Sequence, residues 1–184
     1  GVLCGMNDGG TIINCYNKVN AEYNIINTYD SAGICGISRN GTINKCYNLG
    51  NITGNLKYEL ASVSGIIGIG YDTTIDECYN VGNITGIADF IVHNVLENGD
   101  GNCRACGIVD EITGNSIITN CYNTGNIKMI TKVKDDINPV ASGILGQNPG
   151  GVIQNCYNVG NISIEGYGEV SQKRRAAICG CNYN

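Results

Sequence analysis

Apolar residues in this chain come in short bursts closed by Gly or Asn, and the 3.6-residue spacing of an amphipathic helix is nearly absent. A representative stretch reads Gly33-Ile34-Cys35-Gly36, then Thr42-Ile43 leading to Cys46-Tyr47, then Asn51-Ile52-Thr53. Each burst is rich in β-prone residues, and the Gly and Asn between them supply the positive-φ turns that other residues resist. The pattern predicts three short strands per unit, with one Ile of each strand facing inward.

The unit repeats. Cys-Tyr-Asn occurs five times, beginning at Cys15, Cys46, Cys78, Cys121 and Cys156, at steps of 31, 32, 43 and 35 residues. Upstream of each lies a small-Ile-x-Gly unit ending at Gly5, Gly36, Gly68, Asp110 or Gly146, and the distance from there to the Cys is 10, 10, 10, 11 and 10 residues. Four copies continue as Gly-Asn-Ile, at Gly50, Gly82, Gly125 and Gly160, and a further unit opens at Ala177-Ile178-Cys179-Gly180. Equivalent residues held in register over short strands predict an all-β fold, a parallel β-helix (β-solenoid) of about five coils spaced by about 4.8 Å. The repeats divide as 1-32, 33-64, 65-106, 107-142 and 143-176, with a sixth started at 177-184, in a single domain of 1-184. The expected inward columns are Leu3, Ile34, Ile66, Ile108, Ile144 and Ile178; Ile12, Ile43, Ile75, Ile118 and Ile153; and Ile52, Ile84, Ile127 and Ile162. Residue 1 is not Met and no basic leader follows it, so the chain reads as a piece of a longer protein.

Composition narrows the function classes. Charged residues make up 15% of the 184, against about 25% in ordinary domains. Net charge is -5 and the one basic cluster is Lys173-Arg174-Arg175, which argues against a nucleic-acid partner. No apolar run is long enough for a membrane span in this segment.

Five copies of Gly-hydrophobic-x-Gly, a Cys-Tyr-Asn turn and Gly-Asn-Ile resemble the GLUG-motif repeats of bacterial surface and secreted proteins. The resemblance covers nearly the whole chain; Val2 and Ala177 depart from it at the first Gly, and Asp110 at the second. It implies an extracellular or cell-surface setting, in adhesin-like proteins or outside the catalytic part of secreted peptidases. It implies no catalytic residues and no cofactor. Expected partners are a host or cell-surface protein or glycan, or a second copy joined through the solenoid ends into a filament.

Three residue columns carry the candidate chemistry. Cys15, Cys46, Cys78, Cys121 and Cys156 would form an inward thiol ladder, because in-register Cβ vectors point in parallel and suit bridges poorly. Tyr16, Tyr47, Tyr79, Tyr122 and Tyr157 would stack beside it, as a structural ladder or a carbohydrate- or protein-binding stripe. Asn17, Asn48, Asn80, Asn123 and Asn158 would link turn to turn through their amides. Cys103 and Cys106, in the longest insertion, are the one CxxC spacing open to a disulfide or metal pair, although Cys106 aligns with the small residues Ala32, Ser64 and Ser142.

A catalytic set is hard to assemble. His93 is the only histidine, and no nucleophile motif accompanies it. Asp72, Asp76, Glu77, Asp110 and Glu111 would sit near successive turns, which leaves a carbohydrate-active enzyme using turn carboxylates as the rival to a non-catalytic module. Insertions between repeats fall on one side, so Phe90, His93, Tyr167, Lys173, Arg174 and Arg175 are the expected partner-binding residues.

Overall fold

The computed structural model describes residues 1–26, 30–57, 60–89, 103–133, 137–167 and 173–183. Among them there are strands and turns and no helix. Every strand pairing is parallel, and the strands stack into five sheets that wind around one axis as a β-solenoid.

Each coil holds five short strands, not the three the sequence predicts. In the second coil they are Cys35–Arg39 (sheet 1), Thr42–Asn44 (sheet 2), Tyr47–Asn48 (sheet 3), Ile52–Leu56 (sheet 4) and Ser62–Ser64 (sheet 5). Two local features divide the predicted pieces. Asn14, Lys45, Glu77, Asn120 and Asn155, one per coil, all adopt φ between 51° and 56°. That left-handed residue breaks the run between Ile43 and Cys46 and lets both side chains point inward. The glycine of Gly-Ile makes the second break, separating sheet 5 from sheet 1. At Gly65 an added Cβ would come within 2.1 Å of the Gly107 carbonyl and 2.7 Å of the Asn80 side chain, so only glycine fits there.

The predicted register holds. Ile43, Ile75 and Ile118 are Cα partners, as are Ile52, Ile84 and Ile127. The eleven-residue spacing of the fourth copy is absorbed at the Gly114–Asn115 turn, where Gly114 has φ +67° and Asn115 is held by Asp72 of the coil below.

Two hydrophobic clusters run along the axis. One gathers Ile34, Ile66, Ile108 and Ile144 with Ile43, Ile75, Ile118 and the cysteine column; the other gathers Ile52, Ile84 and Ile127 with Leu56, Val63 and Met129. The expected inward positions at the outermost coils are covered from one side only. Ile12, Ile153, Ile162 and Ile178 are half-buried there, and Leu3 is 47% exposed, a departure from the inward column expected of it.

Candidate functional site

All eleven cysteines are thiols, and no disulfide links Cys103 to Cys106. The two residues face different surroundings, which is why no disulfide forms between them. Cys103 belongs to the Ile52 cluster, whereas the Cys106 thiol lies 3.8 Å from Asp110 Oδ1. As its alignment predicts, Cys106 stacks between Ser64 and Ser142, with Ala32 one coil further along. Burial and the Asp110 charge push its thiol well up.

The five repeat cysteines line the core with one orientation. Each thiol donates to the carbonyl two residues earlier, from Cys15 to Ile13 at 3.3 Å through Cys156 to Gln154 at 3.1 Å. Cys46, Cys78 and Cys121 are fully buried; Cys15 and Cys156 are half-buried.

Outside this column the tyrosine rings stack at centroid distances of 4.7–5.1 Å and interplanar angles of 3–7°. Rings stacked on each other present their edges and hydroxyls to solvent. The faces that stack against a sugar ring are therefore occupied along the middle of the ladder.

The asparagine column is internal. Asn48 Nδ2 donates to the Gly50 carbonyl at 2.8 Å and to Asn80 Oδ1 at 2.7 Å, and the same pair of bonds repeats from Asn17 to Asn123. Asn48, Asn80 and Asn123 have no exposed surface. Each amide satisfies both its own turn and the next coil, as a buried polar group requires.

The strongest concentration of charge lies where sheets 5 and 1 meet. Asp110, on the strand Val109–Thr113, stands where the neighbouring coils carry Gly68 and Gly146. Its carboxylate takes Arg104 Nε at 2.5 Å and Nη2 at 2.8 Å. Arg104 is 5% exposed; its Nη1 donates to Gln147 Oε1 at 2.9 Å, and its Nη2 lies 3.5 Å from Glu111 Oε2. Two rungs away in the same column, Asp30 accepts a short hydrogen bond from the Ser62 hydroxyl. Burial, then the nearby Asp110 charge, raise the Asp30 carboxyl to about 8, and the same two causes raise Glu111. Aspartate and glutamate so perturbed mark a place where protonation is set by the fold.

The other acids behave differently. Asp110 and Glu111 lie within a strand and not at a turn, contrary to expectation, because the coil corner comes later, at Gly114. Asp76 accepts from Thr119 and Asn120 at 2.8 Å and from Asn44 at 3.1 Å, and the Thr119 hydrogen bond leads the causes that lower its pKa. Asp72 accepts the Asn115 backbone and side-chain amides, and Glu77 pairs with Lys45 at 3.7 Å.

Of the expected partner-binding residues, Phe90 and His93 lie outside the described residues. Tyr167 is 54% exposed at the end of sheet 4, and Lys173 reaches the neighbouring Gly166 carbonyl at 2.9 Å. Arg174 and Arg175 are exposed on the last strand of sheet 5, with Arg174 Nη1 donating to Cys181 Sγ at 3.1 Å. So the structure brings Tyr167 and Lys173 to one corner, while Arg174 turns toward sheet 1.

The Arg104–Asp30–Ser62–Gln147 grouping escapes a reading by repeats, which scores Asp110 only as a departure from glycine. A detectable signal was an acid at a position that is glycine in the neighbouring copies, with an arginine six residues earlier across the 106/107 repeat boundary. Among the described residues no three His, Cys, Asp or Glu side chains converge to hold a metal ion, and no helix is long and apolar enough to cross a membrane. No protein-family model, curated protein or solved structure matches the chain.

Proposed function

We propose that this chain is a non-catalytic structural or adhesive β-solenoid module of a bacterial extracellular or cell-surface protein. The observation that carries the reading is the engagement of its reactive side chains in coil-to-coil ladders: thiols inward, tyrosines ring on ring, asparagines amide to amide. The resemblance to GLUG-motif repeats supports the setting. Variable segments enter and leave between sheets 4 and 5, and that corner is where a host or cell-surface protein or glycan would dock. Self-association belongs to the same reading. One outer coil exposes Leu3, Met6, Ile13 and Tyr16, the other Val152, Tyr157 and Val159, and each presents strand edges to which a second copy would add.

The rival reading, a carbohydrate-active enzyme, has one observation in its favour: Asp30 and Glu111 hold raised carboxyl pKa values beside Arg104, as a general acid does. Asp72, Asp76 and Glu77, engaged as described, weigh against it.

Both readings meet in one experiment. The purified chain is incubated with a panel of polysaccharides and with immobilised glycans and surface proteins. Retention without release of reducing ends is expected. Release that disappears in Asp30→Asn would overturn the non-catalytic reading, and a strictly monomeric sample in sedimentation at high concentration would remove self-association from it.

A further inference from the structure

The row formed by Cys15, Cys46, Cys78, Cys121 and Cys156 puts one sulfur per coil into the same core cluster. Each precedes a tyrosine paired in register with the next coil. The Cys46 N–H donates to Cys78 Sγ at 3.4 Å, and the sulfurs of Cys46, Cys78, Cys121 and Cys156 each lie 3.5–3.9 Å from an isoleucine carbonyl of the preceding coil. All five thiols are turned the same way by the carbonyl two residues earlier. The result is a file of sulfurs, one per coil, set apart by the coil repeat of about 4.8 Å and so with a gap between successive members.

Geometry decides what such a file accepts. Parallel Cβ vectors one coil apart, about 4.8 Å, lie beyond the Cβ separation of about 3.5–4.5 Å that a disulfide needs. A tetrahedral ion needs four convergent ligands, and no three converge among the described residues. Each gap does have a sulfur on either side along the axis, walled by Ile43, Ile75 and Ile118. That is the environment of a soft, closed-shell, monovalent cation that accepts two sulfurs in line. We propose that the cysteine row binds Cu(I) or Ag(I), each cation lying between the thiolates of two successive coils.

Charge sets the stoichiometry. A buried row of bare thiolates would be costly. Cations in all four gaps leave the five thiolates with one net negative charge, while filling alternate gaps leaves more. At each cysteine the S–H bond breaks, a sulfur–metal bond forms and the proton leaves to solvent, with no change of oxidation state. The half-buried ends, Cys15 and Cys156, admit the ion.

The test is anaerobic titration of the reduced chain with Ag(I), or with Cu(I) as its acetonitrile complex. Proton release and sulfur-to-metal charge-transfer absorption are followed in the wild type and in the double variant Cys78→Ser/Cys121→Ser. Only the Cys15–Cys46 gap survives in that variant, so it should bind three fewer equivalents; equal uptake would overturn the proposal. Should the variant not fold, X-ray absorption of the wild type at low metal loading decides instead. Two sulfur neighbours per metal are expected, and three or more, or nitrogen and oxygen ligation, would overturn it.

Discussion

Arg104 and Asp110, six residues apart, meet in a bidentate pair at 2.5 and 2.8 Å that bridges two sheets of the solenoid and is almost fully buried. Asp110 replaces a glycine that its neighbours Gly68 and Gly146 keep so that a side chain from sheet 5 can lie over it; a Cβ on Gly68 would meet the Asp30 Cβ at 2.7 Å. One coil has thus exchanged a small-residue packing for a charged one.

Removing one partner of this pair should therefore cost far more than removing both. Arg104→Ala leaves a buried carboxylate without its cation and should lower stability by about 3–5 kcal/mol. The double variant Arg104→Val/Asp110→Gly reproduces the next coil, where Val140 and Gly146 hold the same positions, and should recover most of the loss. Urea unfolding midpoints of the two variants provide the check.

Stability should also fall as pH rises from about 4 to 8. In the folded chain Asp30 keeps its proton up to about pH 8, whereas the unfolded chain releases it near 3.8. Between these values the folded state binds the extra proton, so its advantage is complete below the lower pKa and is lost through the upper one. Glu111, raised by burial and by Asp110, acts in the same direction. Asp30→Asn should flatten the dependence, as measured by unfolding midpoints at pH 5 and pH 8.5; an unchanged slope would contradict the assignment.

The asparagine ladder should be most sensitive at its centre. Asn80→Ala removes the acceptor of Asn48 and the donor to Gly82 and Asn123, all in a fully buried file. At about 1–3 kcal/mol for a buried group left unsatisfied, the loss should clearly exceed that from Asn158→Ala, whose side chain is partly exposed. Thermal melts of the two variants are the comparison.

Two glycines should separate close approach from open space. Gly65→Ala pushes a methyl group into the Gly107 carbonyl and should prevent cooperative folding. Nothing lies within 4 Å of a Cβ at Gly5, so Gly5→Ala should be neutral or stabilise by about 0.4–1 kcal/mol. Circular dichroism on heating distinguishes the outcomes.

The parallel solenoid, its register and most of its inward columns are legible in the sequence, because a repeat copies one coil's side chains onto the next. Cys-Tyr-Asn alone places a thiol, a ring and an amide in three files, and hydrogen bonding and stacking between identical residues then complete them. The strand count is less legible. Lys45 and Glu77 give no hint of a left-handed φ, which is imposed by the need to turn both Ile43 and Cys46 inward. The buried charge cluster is not legible by this route at all. Arg104, Asp30 and Gln147 come from three different coils, and only stacking them about a common axis lets Arg104 reach Gln147 and lets Asp30 feel the charge of Asp110. Sequence by itself determined which residues stack on their own kind; the tertiary structure decided which unlike residues meet, since contacts across a coil corner depend on the turns between strands and not on the repeat.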